Sequence, residues 1–412
     1  MDCTRFTLDN GLRVVCHHDP RSAMVAVNLL YDVGSRDESP ELTGMAHLFE
    51  HLMFGGSVNV ADFDGALELA GGSNNAWTSD DFTNFWDLVP AANVETAFWL
   101  ESDRMLSLAF SPQSLEVQRQ VVLEEFKQVC LNRPYGDLMH RLREMLYTVH
   151  PYRYPTIGKE PSHIEKVTME DVKQFFYSHY APNNAVLAVV GNITPERVRE
   201  LAEKWFAPIP RRDVAKRKLP VEPAPESARE AEVESDVPQA CIVMTFPMAA
   251  YGVDGYVEAD MISDILSSGR ASRFFRNLVM GCDLFTDVDA SISGIEDPGY
   301  FMVTARLREN TDEAIEAATK VIREELDKIM TEEVTDEEIE RAKNRYESNY
   351  TFNQLNIMSK AQSMAMAELH SEELDTMLKR YLAVNKEDVR RVSADVLRKE
   401  RCCKLVYRPK KK

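Results

Sequence analysis

Two histidines and a glutamate lie within five residues of one another near the start of the chain. His47 and His51 are four positions apart, which places both imidazoles on the same face of a helix. Glu50 follows His47 by three positions and falls on that face as well. Two such imidazoles can share one metal ion, and a nearby carboxylate can accept a proton from a water molecule there. The spacing therefore predicts a zinc site equipped for hydrolysis.

The order of these residues, His-x-x-Glu-His, reverses the His-Glu-x-x-His zinc motif and is typical of inverzincins. The alternative is a core helix whose histidines are only packed, because the flanking residues 44–46 and 52–54 are apolar. We favour the metal site because two histidines and a glutamate are costly to bury unless they are paired or bound to a metal.

A catalytic zinc ion needs a third protein ligand, which the predicted helix 111–131 can supply. This helix carries Glu116, Glu124 and Glu125, and its apolar stripe is formed by Leu115, Val122, Phe126 and Val129. Glu125 falls inside the stripe, whereas Glu124 lies toward its edge. We therefore predict Glu125 as the third ligand. The alternative is that Glu125 is a surface residue like its neighbour.

Strands and helices alternate around the histidine motif in the first half of the chain. Residues 6–8 and 12–15 flank Asp9-Asn10-Gly11, which is a strong hairpin signal. The pattern predicts further strands at 24–31, 76–78, 83–88 and 185–190, and helices at 44–54, 61–70, 111–131, 168–177 and 195–205. In the second half it predicts strands at 240–246, 284–292, 299–307 and 403–407, and helices at 255–266, 312–330 and 336–367. The similar element order in the two halves indicates a duplicated domain.

The clearest change in composition is a run of prolines among charged residues, at Pro208, Pro210, Pro220, Pro223 and Pro225. We place the domain boundary there. The division is a zinc-binding catalytic domain at 1–210, a linker at 211–230 and a similar domain without metal at 231–412. The predicted fold is α+β, with two similar domains that each pack helices on a mainly antiparallel sheet. The basic residues of 211–218 and the C-terminal 410–412 are interpreted as solvated linker and tail.

Composition excludes several classes of function. The 412 residues carry a formal net charge of −19, which argues against a nucleic-acid partner because phosphate binding needs clustered Lys and Arg. No stretch approaches the ~20 apolar residues that span a bilayer, so we expect no membrane span. The N-terminus has no signal-peptide pattern, and we expect a cytoplasmic protein. The seven cysteines are odd in number and scattered, which argues against a disulfide framework.

The sequence resembles the pitrilysin (insulinase-like) zinc peptidases, and most closely the bacterial relatives of the catalytic subunit of the mitochondrial processing peptidase. The matching stretches are residues 44–54, 75–78 and 118–125. The resemblance implies that His47, His51 and Glu125 bind Zn²⁺ and that Glu50 is the general base. It also implies that Asn75, Ala76, Trp77 and Thr78 lie on an exposed strand that pairs with the backbone of a peptide substrate.

The chain departs from the family pattern at three positions. The family usually has a glutamate two turns before the third ligand, where this chain has Gln118. A neutral amide there removes a negative charge from beside the metal, and we expect tuned activity, not lost activity. Active members also carry an Arg and a Tyr in the second domain that grip the substrate. Val279 and Thr286 fall at these two positions, and neither can take that role.

The resemblance implies a clamshell chamber built from two such chains or from one chain twice as long. Because this chain is of the half-length kind, we expect a dimer. Because the Arg/Tyr pair is absent, we prefer a heterodimer with a homologous chain that carries the pair over a homodimer. The expected activity is zinc-dependent endopeptidase hydrolysis of peptides or short unfolded polypeptides. The alternatives are a non-catalytic scaffold and a peptide-binding subunit of the same fold.

Overall fold

The computed structural model describes residues 3–214, 217–294 and 296–410. The strands in this part of the chain are β1 Thr4–Thr7, β2 Arg13–His18, β3 Met24–Tyr31, β4 Ser73–Thr78, β5 Thr83–Pro90, β6 Ala185–Gly191, β7 Arg229–Ser235, β8 Cys241–Pro247, β9 Phe285–Ser293, β10 Tyr300–Leu307 and β11 Cys403–Pro409. The α-helices are α1 Met45–Leu52, α2 Phe63–Leu69, α3 Val94–Leu106, α4 Pro112–Phe126, α5 Leu138–Leu146, α6 Pro161–Lys166, α7 Met169–His179, α8 Pro195–Trp205, α9 Tyr256–Ser267, α10 Asp312–Thr331, α11 Asp336–Leu355, α12 Ile357–Leu369, α13 Thr376–Ala383 and α14 Lys386–Val396.

The chain forms two compact units, and each unit draws on three separate segments. The first unit contains Met1–Gln128, Tyr154–Leu219 and Thr351–Leu374. The second contains Val129–Arg153, Pro220–Tyr350 and Asp375–Lys412. Each unit holds one mainly antiparallel sheet with helices packed on it, and the predicted α+β fold with two similar domains is confirmed.

The first sheet has the order β1-β2-β6-β3-β5-β4, and only the β2–β6 pair is parallel. The predicted hairpin between β1 and β2 is present, with Thr4 opposite Cys16. One face of β3 presents Val25, Val27 and Leu29 to a core that it shares with α1, α3 and α7. Alternate residues of β3 face the other side of the sheet, as the period of two along a strand requires.

That second face is covered by α12, a helix from the C-terminal half of the chain. It contacts β2, β3 and β6, and it buries Ala361, Met364 and Ala365. Arg13 of β2 donates to the carbonyl oxygens of Glu368 and Leu369 and so satisfies the C-terminal end of α12. The sheet of the first unit is therefore completed by a segment far away in sequence.

The second sheet has the order β7-β11-β8-β10-β9, in which only β7 and β11 are parallel. One face packs against α9, α10 and α14. The other face, which includes Val243, Leu405 and Tyr407, packs against α5 from the N-terminal half of the chain. Helix α5 from the N-terminal half of the chain thus covers the second sheet, and α12 from the C-terminal half covers the first.

The predicted single helix at 336–367 is wrong, because the segment is divided at Asn356. This residue has extended backbone angles (φ −86°, ψ 120°), and its side chain accepts hydrogen bonds from the backbone N–H groups of Met358 and Ser359. Asparagine is among the best N-cap residues, so it ends α11 and starts α12. The break falls close to the point where the chain passes from the second unit to the first.

The predicted contiguous domains at 1–210 and 231–412 also differ from the compact units. Residues 129–153 belong to the second unit and 351–374 to the first, because α5 and α12 bury their apolar faces there. The predicted linker 211–230 overlaps the start of β7, which begins at Arg229. The burial of residues 229–235 alternates along the chain, as it does in a strand with one covered face.

The basic residues around 211–218 are not a solvated run. Arg212 donates to the carbonyl oxygens of Met105 and Leu106, and Arg217 pairs with Asp32 and Asp37. Lys216, Lys411 and Lys412 lie outside the described residues. All seven cysteines are free thiols. Across the described ranges, no helix combines the length and the apolar run that a bilayer crossing requires.

Candidate metal centre

Helix α1 begins at a glycine and is capped by a carboxylate from outside the helix. Gly44 has a left-handed φ of 89°, and a Cβ there would lie 2.7 Å from Cδ1 of Ile164. Because glycine has no side chain to cap the helix, Glu38 accepts hydrogen bonds from the N–H groups of Gly44 and Ala46, both at 2.7 Å. Burial raises the pKa of Glu38, and these two hydrogen bonds oppose the rise. The start and direction of α1 are therefore fixed by Glu38, Gly44 and Ala46, which all precede His47.

The two faces of α1 differ in environment. Leu48, Phe49 and Leu52 are buried in the first core, where the Phe49 ring stacks on Tyr180 with centroids 4.5 Å apart. The opposite face carries His47, Glu50 and His51, as the sequence spacing predicts. Packing of the apolar face thus determines the direction in which the two imidazoles point.

The structure brings His47, His51 and Glu125 together. Oε2 of Glu125 lies 3.6 Å from Nε2 of His47 and 3.4 Å from Nε2 of His51. One ligand atom from each residue falls within 4.8 Å of the others. Tetrahedral ligands at roughly 2.0–2.1 Å from zinc are spaced about 3.3–3.4 Å apart. Two imidazole nitrogens and a carboxylate oxygen at these separations fit a zinc ion with one coordination position left open.

The electrostatics of His47 and Glu125 favour the forms that bind a metal. Burial lowers the pKa of His47 to about 4, which keeps its imidazole neutral. The hydrogen bond with His51 lowers the pKa of Glu125, which keeps its carboxyl ionised. Metal ligands have to be neutral imidazoles and carboxylates, and His47 and Glu125 are held in these forms near neutral pH.

The other two glutamates considered on α4 point away from the histidines. Glu116 pairs with Arg119, and Glu124 pairs with Lys127 at 2.6 Å; both side chains are more than half exposed. Glu125 is 38% exposed at the edge of the buried face that contains Val122 and Phe126. The apolar stripe therefore distinguished the converging carboxylate from its neighbours.

Glu50 does not join the three converging side chains but makes a hydrogen bond to the adjacent strand. Its Oε2 accepts a 2.5 Å hydrogen bond from the hydroxyl of Thr78. Burial raises the pKa of the Glu50 carboxyl, and the Thr78 hydroxyl opposes this effect. A carboxylate with a raised pKa beside a metal site suits a group that has to take up and release a proton.

Strand β4, which contains Asn75, Ala76, Trp77 and Thr78, lies at the edge of the first sheet. It pairs with β5 on one side, with Asn75 opposite Trp86. Its other side bonds to no strand among the described residues. Unpaired backbone groups at a sheet edge can accept an added strand.

Gln118 is half-buried on α4 and makes no hydrogen bond to another described residue. Nδ1 of His47 is buried and likewise has no partner within the described chain. A metal-binding histidine usually donates its second N–H to an acceptor that fixes the ring. His47 has no such acceptor at Nδ1 among the described residues.

Val279 and Thr286 stand in the second unit where the family pattern has an Arg and a Tyr. Val279 ends a π-helical turn, Phe275–Val279, and packs against the second core. Thr286 lies on β9 and donates to the carbonyl oxygen of Arg306. Neither side chain carries a cation or a phenol.

The sequence reasoning did not identify Glu38 or the hydrogen bond between Thr78 and Glu50. One sequence feature could have pointed to Glu38. The helix begins at a glycine, which has no side chain to act as a cap, so another residue has to accept hydrogen bonds from the N–H groups of its first turn. No sequence pattern relates Thr78 to Glu50, because the contact joins a strand to a helix.

Comparisons with known proteins identify related families and structures. Residues 13–160 match the family model described as insulinase (peptidase family M16), and residues 166–346 match the peptidase M16 inactive domain. The zinc protease PqqE of Helicobacter pylori is 31% identical over 84% of this chain and 79% of its own length. The crystal structure of a protease from Helicobacter pylori has a TM-score of 0.91 at 28% identity, and covers 99% of this chain and 100% of that one.

A further solved structure shares the fold at a lower identity of 18%, the periplasmic protease PqqL from Escherichia coli. Its TM-score is 0.80, and the match covers 99% of this chain but 47% of that chain. With the family models, the 31% identical relative and the matched fold taken together, the chain belongs to the insulinase (M16) family of peptidases.

Proposed function

We propose that the chain is a zinc-dependent endopeptidase that hydrolyses peptides or short unfolded polypeptides. The observation that carries this proposal is the convergence of His47, His51 and Glu125 at separations that fit zinc, with Glu50 beside them. The names of its relatives as zinc proteases support the same metal.

A bound zinc ion supplies a Lewis acid and makes a water molecule acidic enough to lose a proton near neutral pH. His47, His51 and Glu125 would hold the ion. Glu50 accepts the proton of the attacking water and then donates it to the leaving amine. Its raised pKa makes the first transfer, the uptake of the proton from water, easier than it would be for an ordinary glutamate.

The proposed substrate lies extended along β4 as an added strand. Backbone groups of Asn75 to Thr78 at the open edge give affinity without selecting a sequence. An extended backbone is available only in peptides or unfolded segments, which is why the proposed substrates are of this class.

The proposed assembly is a dimer, and a heterodimer is preferred over a homodimer. Val279 and Thr286 replace a substrate-gripping Arg/Tyr pair, so a homologous chain that carries this pair would complete the site. The match to roughly half of PqqL supports a pairing of two such chains. The same replacements favour one alternative, a peptide-binding subunit that holds zinc without cleaving alone.

Zinc content and peptide cleavage of wild type and Glu50→Gln test the proposal. A peptidase binds about one zinc ion per chain, cleaves a quenched fluorescent peptide, and loses cleavage but not zinc in Glu50→Gln. A scaffold binds no zinc. A peptide-binding subunit retains zinc and peptide without cleaving, whereas the preferred heterodimer cleaves fully only after the homologous partner is added.

A further inference from the structure

We propose that Thr78 is a positioning residue, whose hydroxyl holds the Glu50 carboxylate in the orientation that a general base requires. The inference rests on the proposed peptidase function. It assigns Thr78 a role different from that of Asn75, Ala76 and Trp77, with which the family resemblance groups it as a substrate-binding residue.

The geometry of the contact supports this role. The 2.5 Å separation between Oγ1 of Thr78 and Oε2 of Glu50 is typical of a hydroxyl that donates to an ionised carboxylate. It is the one hydrogen bond that Glu50 makes within the described chain, and it occupies a single oxygen. Oε1 is left to contact a water molecule.

The direction of the side chain argues against a role in gripping the peptide. Side chains alternate along a strand, so Thr78 faces the same side as Ala76, which packs on the first core. A peptide that adds to β4 bonds to the backbone groups at the open edge of the strand. The Thr78 hydroxyl points instead to α1, where Glu50 lies.

The contact also joins two elements that serve different parts of the proposed reaction. Glu50 projects from α1, and Thr78 is the last residue of β4. A glutamate side chain has several rotatable bonds, and a base displaced by about 1 Å can lose on the order of 100-fold in rate. One hydroxyl from the neighbouring strand removes that freedom.

The test compares Thr78→Val, which removes the hydroxyl at constant volume, with Thr78→Ser, which restores it. Thr7→Val is the matched control, because Thr7 is an exposed threonine on β1, the opposite edge of the same sheet. We expect Thr78→Val to lower kcat by about 10–100-fold with KM, zinc content and Tm unchanged. Thr78→Ser recovers most of that loss, and Thr7→Val behaves as wild type.

A second comparison uses the Glu50→Gln background. If Thr78 acts through Glu50, adding Thr78→Val to Glu50→Gln lowers the residual rate no further and leaves peptide affinity unchanged. Weaker peptide binding in the double variant overturns the proposal in favour of a gripping role. A loss of kcat that accompanies an equal loss of zinc or Tm overturns it in favour of a purely structural role.

The outcomes also separate this inference from the function on which it rests. An active wild type with an equally active Thr78→Val variant overturns the role of Thr78 alone. A wild type that binds no zinc and cleaves no peptide, alone or with a partner chain, overturns the proposed function and the role of Thr78 together.

Discussion

Nε2 of His51 lies 3.4 Å from Oε2 of Glu125, a residue of a different helix in the same compact unit. Glu125 is the penultimate residue of α4, which starts at the Ser111 cap with Pro112 in its first turn. The start and register of α4 therefore decide whether this carboxylate or its neighbour Glu124 meets the histidines of α1.

Glu125→Gln should lower the affinity for zinc by on the order of 100-fold, because a neutral amide replaces one of three ligands. The matched control is Glu124→Gln on the same helix, whose exposed carboxylate pairs with Lys127 and should leave zinc binding unchanged. Competition with a chromogenic chelator measures both affinities. Equal zinc affinities for the two variants would contradict the assignment of the third ligand.

Glu38→Ala should destabilise the protein by about 1–3 kcal/mol, because it leaves the N–H groups of Gly44 and Ala46 without their acceptor. It should also weaken zinc binding, since α1 carries both histidines. Glu41→Ala removes an exposed carboxylate from the same loop and serves as the control. Urea unfolding of metal-free protein and zinc titration give the two readouts, and the prediction fails if the two variants unfold alike.

Asp260→Asn should stabilise the protein at neutral pH. Burial on α9, with Asp264 one turn away and Tyr346 and Tyr381 nearby, raises the pKa of Asp260 to about 6. The folded state then binds more protons than the unfolded state between about pH 4 and 6, so this group costs stability as the pH rises through that window. We expect a gain of about 2 kcal/mol above pH 6, after allowing for partial exposure.

The same gain should largely vanish near pH 4, where Asp260 is protonated in the folded state and about half protonated in the unfolded state. Urea unfolding at pH 4, 6 and 8 measures this dependence. Asp283→Asn, at an exposed aspartate of the same unit, should show no such trend. A pH-independent effect of Asp260→Asn would refute the explanation by burial.

A fragment of residues 1–219 should be insoluble or loosely packed. Without α12, the second face of the first sheet is exposed to water, and its buried residues are Val15, Ala26, Leu30, Val186, Ala188 and Val190. An apolar face of this kind favours aggregation. The same fragment fused through a flexible linker to residues 351–374 should be soluble and give dispersed NMR spectra. Equal solubility of the two proteins would show that α12 is dispensable.

Much of the first unit could be predicted from sequence, because its periodicities are strong. The strand at 24–31 and the helix at 195–205 were predicted with the bounds that the structure has. Helix α3 was missed because it is buried on nearly all sides, with Glu101 and Arg104 paired inside the core. A helix without a polar face has no amphipathic pattern to detect.

The exchange of α5 and α12 could not be predicted either. Local periodicity marks a helix but not the sheet that it covers, and α12 continues the helical pattern of α11 up to Asn356. At the site, the convergence of Glu125 with the histidines could be predicted, because spacing places the histidines on one face of α1 and Glu125 beside the apolar stripe of α4. The contacts of Glu38 and Thr78 required tertiary structure, since each joins elements that no spacing relates.

The exchanged helices have a consequence for synthesis on the ribosome. The first sheet is covered on both faces only when α12 has emerged, so the N-terminal unit waits for residues up to Leu369 before it can close. Chains with several units ordinarily fold from the N-terminus as they are made. In this protein we expect the order to be reversed in part, because the nascent first half cannot bury both faces of its sheet until α12 has emerged.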